Sequence, residues 1–328
     1  MSSGSERRKK IDKIHPPHAT NPWPWIRQAL ALDAEVALAS GILDIDKAAE
    51  GCLDEARERI ISNDRISASD RRRLEVLRER QHQKAQQQDA RRDRPLTADQ
   101  QSVEEGGADF LEYAFHIIIG SNDWFGPGVY VTKTNAFDDE QHGTDLVVTF
   151  TRDGEEQPLR LAVDVTNAQQ ETIIEKKVDS ILNGFKDGQL TSVKYFTDPV
   201  TESEDGLLMI PRVVLAMDRE STLREFKALF ADFFSKHSSR ESAHAAQDRL
   251  AKSTIPYAIL DSIAQQLRAW EDVIATSQQS FLRYPHAEQM LTRIRDVRVE
   301  VEKRRTERAK YGKRPLDRVQ RIVSQVAA

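Results

Sequence analysis

The residues GTDLVVTFTRDG at 143–154, followed by LRLAVDVT at 159–166, carry the clearest fold signal of the chain. In both segments apolar residues alternate with other residues, which is the period-two pattern of strands that bury one face. The Asp-Gly pair at 153–154 is a strong signal for a two-residue hairpin turn between them. We therefore expect two antiparallel strands whose core face carries Leu146, Val148, Phe150, Leu161, Val163 and Val165.

Each predicted strand also carries one carboxylate, Asp145 at the start of the first and Asp164 near the end of the second. Because side chains alternate between faces, burial of the apolar face leaves Asp145, Ala162 and Asp164 together on the other face. A two-residue turn puts Asp145 opposite Ala162 and diagonal to Asp164, with the two backbones roughly 7–8 Å apart. Two carboxylates at this spacing can share a cation, and two ordinary solvated strand residues would give the same pattern.

The composition narrows the class of protein. A chain of 328 residues can form one large domain or two smaller ones, and its 39% hydrophobic and 31% charged residues are typical of a soluble protein. The net charge of -5 argues against coating nucleic acid by bulk charge, although a local basic patch stays open. A single cysteine, Cys52, excludes an internal disulfide and fits a reducing cytoplasm. No apolar run reaches membrane-span length, so we expect no membrane partner.

The pattern divides the chain into three parts. Residues 1–101 predict a charged helical segment with a disordered start, residues 102–240 predict the α/β core, and residues 241–328 predict a helical extension. In the first part, Ser67 and Asp70 mark the start of a helix with few apolar residues. Such a helix can be an exposed helix, a flexible connector or a surface that lies on phosphates.

Two further charged residues of the core lie on predicted helices. Residues 108–120 predict a mostly buried helix, in which the carboxylate of Glu112 must be paired, metal-bound or at an edge. After the hairpin the period becomes helical, and Lys177 lies on the same apolar stripe as Ile174 and Ile181, pointing back toward the sheet. A snorkelling lysine is the alternative reading of Lys177.

The remaining core segments complete an α/β pattern. Residues 129–132 predict a strand and residues 135–142 a polar loop before the hairpin. Residues 192–196 and 210–217 predict strands after the Lys177 helix. Strands on both sides of a helix are typical of a sheet with covered faces.

The order of a helix with Glu112, a strand with Gly-x-Asp145, a strand ending in Asp164-x-Thr166 and a further helix resembles the PD-(D/E)XK nuclease superfamily. The resemblance covers roughly residues 108–217. It implies a restriction-endonuclease-like fold, with a mixed central sheet in an αβββαβ core and added N- and C-terminal helices. It also implies hydrolysis of phosphodiester bonds in nucleic acid, with DNA as the expected substrate.

The same resemblance implies a site for Mg²⁺ or Mn²⁺. Its metal ligands would be the carboxylates of Glu112, Asp145 and Asp164 and the main-chain carbonyl of Val165. Thr166 stands where the family has its usual lysine, and some branches move that lysine to the following helix. Lys177 is placed to serve as the fourth catalytic group, with Lys176 as second choice. If neither lysine reaches the site, the chain would be an inactive module that binds nucleic acid or protein on the same fold.

The C-terminal part predicts two long helices, at about residues 255–274 and 287–310. The second ends in a basic cluster, which is the best local candidate for contact with phosphates, and a plain solvated helix is an equal alternative. The helical ends of the chain could also bind a protein partner or pair two copies into a homodimer. The basic cluster consists of Arg304, Arg305, Arg308 and Lys310.

Overall fold

The structure is a computed structural model, which describes nine segments of the chain. The predicted helix at 108–120 lies outside them except for Phe115, and Glu112 therefore lies outside the described residues. Most of the first 101 residues also lie outside. The described residues are 66–90, 115, 124–152, 154, 157–166, 171–201, 206–216, 252–279 and 286–311.

The described residues form helices and strands in a mixed α/β arrangement. The helices are α1 (Ala68–Ala90), α2 (Ala136–His142), α3 (Glu171–Lys186), α4 (Ile255–Gln279) and α5 (Ala287–Arg308), followed by a 3₁₀ turn (Ala309–Tyr311). The strands are β1 (Val129–Lys133), β2 (Leu146–Phe150), β3 (Leu159–Thr166), β4 (Thr191–Val193), β5 (Leu207–Ile210) and β6 (Arg212–Ala216).

The larger sheet is mixed, with the strand order β1-β2-β3-β6. The first three strands form an antiparallel meander, and β6 then joins β3 in parallel. A parallel neighbour requires a crossover, which the chain makes through α3 and the small β4–β5 hairpin. The predicted α/β class and mixed sheet are therefore confirmed.

The register of β2 against β3 differs from the prediction. Leu146 pairs with Val163 and Phe150 pairs with Leu159, so residues 151–158 form the connection and the two-residue turn at 153–154 is wrong. The amide and the hydroxyl of Thr151 both donate to the carbonyl of Gly128. These bonds hold Thr151 beside the start of β1. Pro158 has no N–H to contribute to a ladder, and it ends the pairing. The shift moves Asp145 from opposite Ala162 to beside Asp164.

The two faces of the sheet bury different clusters. The predicted core face is confirmed, because its six residues belong to one buried cluster with the apolar stripes of α3, α4 and α5. Alternation puts Val147 and Ala162 on the other face. There they form a second buried cluster with Val193, Phe196 and Ile210, so the β4–β5 hairpin covers much of the face that carries the aspartates.

Three segments differ from their predicted form. The polar loop predicted at 135–142 is α2, because the side chain of Asn135 caps it by accepting from the amides of Phe137 and Asp138, each at 3.0 Å. The strand predicted at 192–196 is the shorter β4. The strand predicted at 210–217 is divided into β5 and β6 at Pro211, since proline cannot donate to a ladder.

Helix α1 is docked on α2 through its first turns. Leu74 is buried in a small cluster with Ile66 and Phe137. Asp70 is 3% exposed and accepts hydrogen bonds from Lys194 and from the hydroxyl of Tyr195. Of the alternatives for this helix, the described contacts contradict a free connector over its first turns.

Helix α4 closes the outer edge of the larger sheet. The side-chain amide of Gln266 accepts from the amide of Val214 at 2.9 Å and donates to the carbonyl of the same residue at 2.8 Å. The indole of Trp270 donates to the carbonyl of Arg212 at 3.1 Å. Side chains of α4 thereby take the place of a neighbouring strand along β6, and an unpaired edge is covered.

Candidate active site

Asp145 is held by main-chain hydrogen bonds at the point where the chain enters β2. Its amide donates to the carbonyl of Val163 at 3.0 Å, and its carbonyl accepts from the amide of Thr134 at 3.0 Å. Its carboxylate accepts from the amide of Val165 at 2.6 Å. Asp145 is 6% exposed. These bonds fix its side chain beside the end of β3 that carries Asp164.

Helix α2 sets the position of the segment that leads to Asp145. The carboxylate of Asp138, fully buried, accepts from the amides of Lys194 at 2.8 Å and Tyr195 at 2.9 Å. These bonds tie α2 to the end of β4. Gly143 then ends the helix with a positive φ of 62°, a conformation that favours glycine, and turns the chain into Asp145.

Asp164 forms an ion pair with Lys177. The aspartate is 2% exposed, and Lys177 Nζ donates to its Oδ1. Lys177 lies on α3 three residues after the buried Ile174 and one before the buried Val178, which directs it toward the sheet. The predicted inward direction of Lys177 is confirmed, whereas Lys176 is exposed.

A second cation beside these groups was missed from the sequence. Arg212, at the start of β6, is 7% exposed, and its guanidinium donates to the carbonyl of His142 and to the hydroxyl of Ser180 at 3.0 Å. A Cβ at Gly143 would lie 2.8 Å from Arg212 Nη1 and 3.3 Å from Asp164 Oδ2, so both side chains flank this glycine. The available signal was an arginine inside an otherwise apolar strand.

Burial and charge act against each other in this group. Burial raises the pKa of Asp164, and the charges of Lys177 and Arg212 oppose that rise without cancelling it. Burial acts to lower the pKa of Lys177, but the charges of Asp164 and Asp145 outweigh it and the pKa is raised. Burial lowers the pKa of Arg212 despite the same two carboxylates. The site therefore holds charged groups at a cost in desolvation.

Asp139 is a third carboxylate near the pair. Its charge contributes to raising the pKa of both Asp164 and Lys177. Asp139 belongs to α2, where the sequence predicts a loop, and no pattern in the sequence sets it apart from neighbouring acids.

The donor atoms of this site suit a hard cation. Asp145 and Asp164 supply carboxylate oxygens, and Mg²⁺ is commonly held by one or two carboxylates together with waters. The N–H of Val165 points at Asp145, and the C=O of one residue in an extended strand points the same way as its N–H, so the Val165 carbonyl opens to the same side. Within the described part of the chain, no group of three or more His, Cys, Asp or Glu side chains is arranged to hold a metal.

The basic cluster, at the end of α5 and in the 3₁₀ turn, has contacts of its own. Arg304 is buried, pairs with Glu300 and donates to the carbonyls of Phe125 and Pro127. Arg305 pairs with Asp261 on α4. Arg308 and Lys310 both lie over the ring of Tyr311, at 5.9 Å and 4.9 Å. Among the described residues, Arg304 and Arg305 thus bond to other parts of the fold and not to Asp145 or Asp164.

Comparisons with known proteins return no relative. No protein-family model matches the sequence, and no significant match was found among curated proteins or among solved structures. Among the helices that the structure describes, none combines the length and the apolar character needed to cross a membrane.

Proposed function

We propose that this protein is a Mg²⁺- or Mn²⁺-dependent nuclease of the restriction-endonuclease-like type, acting on nucleic acid and first of all on DNA. The strand order supports the proposal. An antiparallel meander followed by a helix and a parallel strand beside β3 is compatible with the βββαβ part of the core that the resemblance implies. The helix before it, with Glu112, lies outside the described residues.

The observation that carries the proposal is the contact between Lys177 and Asp164. The resemblance lacked its usual lysine at Thr166, and Lys177 provides an ammonium group at the third-strand acid from the following helix. Asp145 lies beside this pair, with its carboxylate on the amide of Val165. Two acids and one lysine converge at one end of the sheet although 32 positions separate Asp145 from Lys177 in the numbering.

The residues of the chain have distinct roles in this proposal. Asp145, Asp164 and the carbonyl of Val165 would hold the cation, with Glu112 as a further ligand. Such a cation lowers the pKa of bound water and stabilises charge on the phosphate. Lys177 would offset negative charge that develops on the phosphate, and its raised pKa keeps it protonated at neutral pH. Arg212 would hold the turn at His142 and Gly143 in place.

A second candidate is an inactive binding module on the same fold. Asp164 already has two cations near it, Lys177 and Arg212, which together offset the charge that a metal ion would otherwise offset. This arrangement favours a stable, metal-free ion-pair cluster. Cutting activity separates the two candidates.

The test is cleavage of supercoiled plasmid DNA and of single-stranded RNA by the full chain with Mg²⁺, Mn²⁺ or EDTA. We expect Asp145→Asn, Asp164→Ala and Lys177→Ala each to lower the cleavage rate by about 10²-fold or more, as loss of one transition-state contact does. Lys176→Ala is the matched control, because this exposed lysine is the neighbour of Lys177 on the same helix. Thermal unfolding of each variant checks that the fold is retained.

Each outcome has a definite meaning. Equal cleavage by all variants identifies a contaminating nuclease and removes the support for the assignment. Binding of DNA without cleavage under any metal condition supports the inactive module. Loss of cleavage in Lys176→Ala instead of Lys177→Ala transfers the role to the second lysine.

A further inference from the structure

A cavity of about 680 Å³ lies at the other end of β3 from Asp164. It is formed where β3 and β6 begin, against the side of α5. Arg160 lines the cavity and is four residues from Asp164 on the same strand, which is roughly 13 Å along the strand. The volume falls in the range of small-molecule binding sites. The distance along β3 separates this cavity from the candidate active site.

The lining of this cavity is rich in guanidinium groups. Arg152, Arg160 and Arg293 line it, and Asp296 is the acidic residue among the described lining residues. Arg160 is paired with Asp198 through one terminal nitrogen. Among the described lining residues, three guanidinium groups therefore stand against one carboxylate, and guanidinium groups are suited to binding a phosphate group.

The backbone at the wall of the cavity is in an unusual conformation. Met209 has φ of 63°, a left-handed value that a residue with a side chain rarely adopts. Its carbonyl accepts from Arg293 at 3.3 Å, which links this wall to α5. Such outliers persist only where the surrounding structure holds them in place, and they are concentrated at functional sites.

The cavity also has apolar walls. Pro158, Leu159, Ile210, Pro211 and Val297 contribute to its lining beside the arginines. An inorganic anion would leave those walls without a partner, whereas a ligand with both a phosphate and a flat apolar ring would contact both kinds of wall. From its size, its charge and its mixed lining, we propose that this cavity binds a nucleotide, with its phosphates at Arg152 and Arg293 and its base against the prolines and Leu159.

The test is isothermal titration of the full chain with ATP, with tripolyphosphate and adenosine as separate arms. We expect saturable ATP binding that Arg152→Ala and Arg293→Ala each weaken about tenfold, because each removes a charge-assisted contact. Asp296→Asn should instead tighten binding several-fold, since it removes a like charge from the phosphate site. A variant that merely unfolds cannot produce that opposite sign. Arg72→Ala, at an exposed arginine on α1, should leave the affinity unchanged.

Four results would overturn the proposal. They are no saturable binding of ATP, binding that Arg152→Ala and Arg293→Ala leave unchanged, equally tight binding of tripolyphosphate, and stronger competition by a short DNA than by ATP. The last would assign the cavity to a nucleic-acid backbone. Arg293→Lys keeps the charge and should restore part of the affinity, which guards against misfolding of the alanine variant. None of these measurements depends on the nuclease proposal.

Discussion

Gly143 allows the charged groups of the candidate site to come close to the backbone. Its φ of 62° is left-handed, and a Cβ there would meet Arg212 Nη1 at 2.8 Å and Asp164 Oδ2 at 3.3 Å. Glycine is therefore favoured here for two reasons, the left-handed backbone and the lack of room for a Cβ atom. A substitution with a side chain would have to move a buried guanidinium away from the hydrogen bond with His142.

We expect Gly143→Ala to lower the free energy of unfolding by about 2–4 kcal/mol, from the left-handed conformation together with displacement of Arg212. Urea unfolding followed by circular dichroism measures the change. Gly154→Ala is the matched control, because Gly154 has φ of 80° and no atom within 4 Å of the added Cβ. It should cost about 1 kcal/mol, from conformation alone. Equal losses in the two variants would show that the close approach of Arg212 is unimportant.

Asp198 is a second residue whose charge is tied to the fold. It is 1% exposed, pairs with Arg160 and accepts from the amides of Val200 at 2.7 Å and Thr201 at 3.1 Å. Burial acts to raise its pKa, but the hydrogen bonds from Arg160 and from the two amides outweigh burial and lower it.

A lowered pKa in the folded state means that the charged form of Asp198 stabilises the fold above its unfolded pKa of about 3.9. That stability is lost as the pH falls from there through the folded pKa. We expect Asp198→Asn to lower the free energy of unfolding at pH 7 by roughly 1–3 kcal/mol, with the difference from the wild type shrinking below about pH 4. Urea titrations at several pH values measure it. Glu79→Gln, on an exposed part of α1, should change little at any pH, and a pH-independent loss in Asp198→Asn would contradict the linkage.

At the scale of elements, α1 is attached to the core by a small polar network beside a few apolar side chains. The hydroxyl of Tyr195 donates to Asp70 at 2.6 Å and accepts from the amide of Ser67 at 2.9 Å. Lys194 adds an ion pair to the same carboxylate. These contacts act only on the first turns of a helix whose sequence has almost no apolar stripe. Its docking therefore depends on tertiary contacts more than on amphipathicity.

We expect Tyr195→Phe to speed amide hydrogen exchange in the first turns of α1 by about tenfold, since it removes two hydrogen bonds to the start of the helix. Exchange in β2 and β3 should be unchanged, because their cluster does not include this contact. Exchange measured by mass spectrometry reads both regions. Tyr130→Phe, at a tyrosine that is 43% exposed on β1, is the control. Unchanged exchange in α1 would mean that the other contacts, such as the Lys194 ion pair and the packing of Leu74 on Phe137, hold the helix without the tyrosine hydroxyl.

At the scale of the molecule, α4 determines how the larger sheet ends. Within the described part of the chain, no strand lies outside β6, and Gln266 and Trp270 bond to its outer backbone groups. The helix is joined to the sheet by these bonds and by the large buried cluster. The residues assigned to a C-terminal extension therefore include part of the core.

We expect Gln266→Leu to lower the free energy of unfolding by about 2–4 kcal/mol, because it leaves the amide and the carbonyl of Val214 buried without partners. The exposed edge should also promote aggregation on partial unfolding. Urea unfolding and light scattering during heating measure the two effects. Gln265→Leu is the matched control, since the neighbouring glutamine donates to Asp261 on its own helix and not to the strand. A loss in Gln265→Leu as large as that in Gln266→Leu would contradict a specific role of the strand edge.

The sequence alone correctly predicts that β2 and β3 are strands, that α3 is a helix, and which side each of the three buries. The alternation of apolar residues in 146–150 and 159–166 predicts the two strands and their core face. The apolar stripe of α3 predicts that Lys177 points at the sheet. These features follow from local periodicity, which depends on neighbours a few residues apart. Periodicity misses α2, because this helix of seven residues is mostly polar and begins at a side-chain cap, Asn135, without an apolar stripe.

The neighbours of the two aspartates depend on how distant elements pack, which the sequence does not reveal. The register depends on a connection of residues 151–158 and on the hydrogen bonds that hold Thr151 to Gly128, neither of which alternation reports. Arg212 and Asp139 reach the site from β6 and α2, elements whose positions are set by parallel pairing and by docking on β4. Periodicity identifies the face of a residue within its own element, whereas contacts between distant elements arise only when the elements pack.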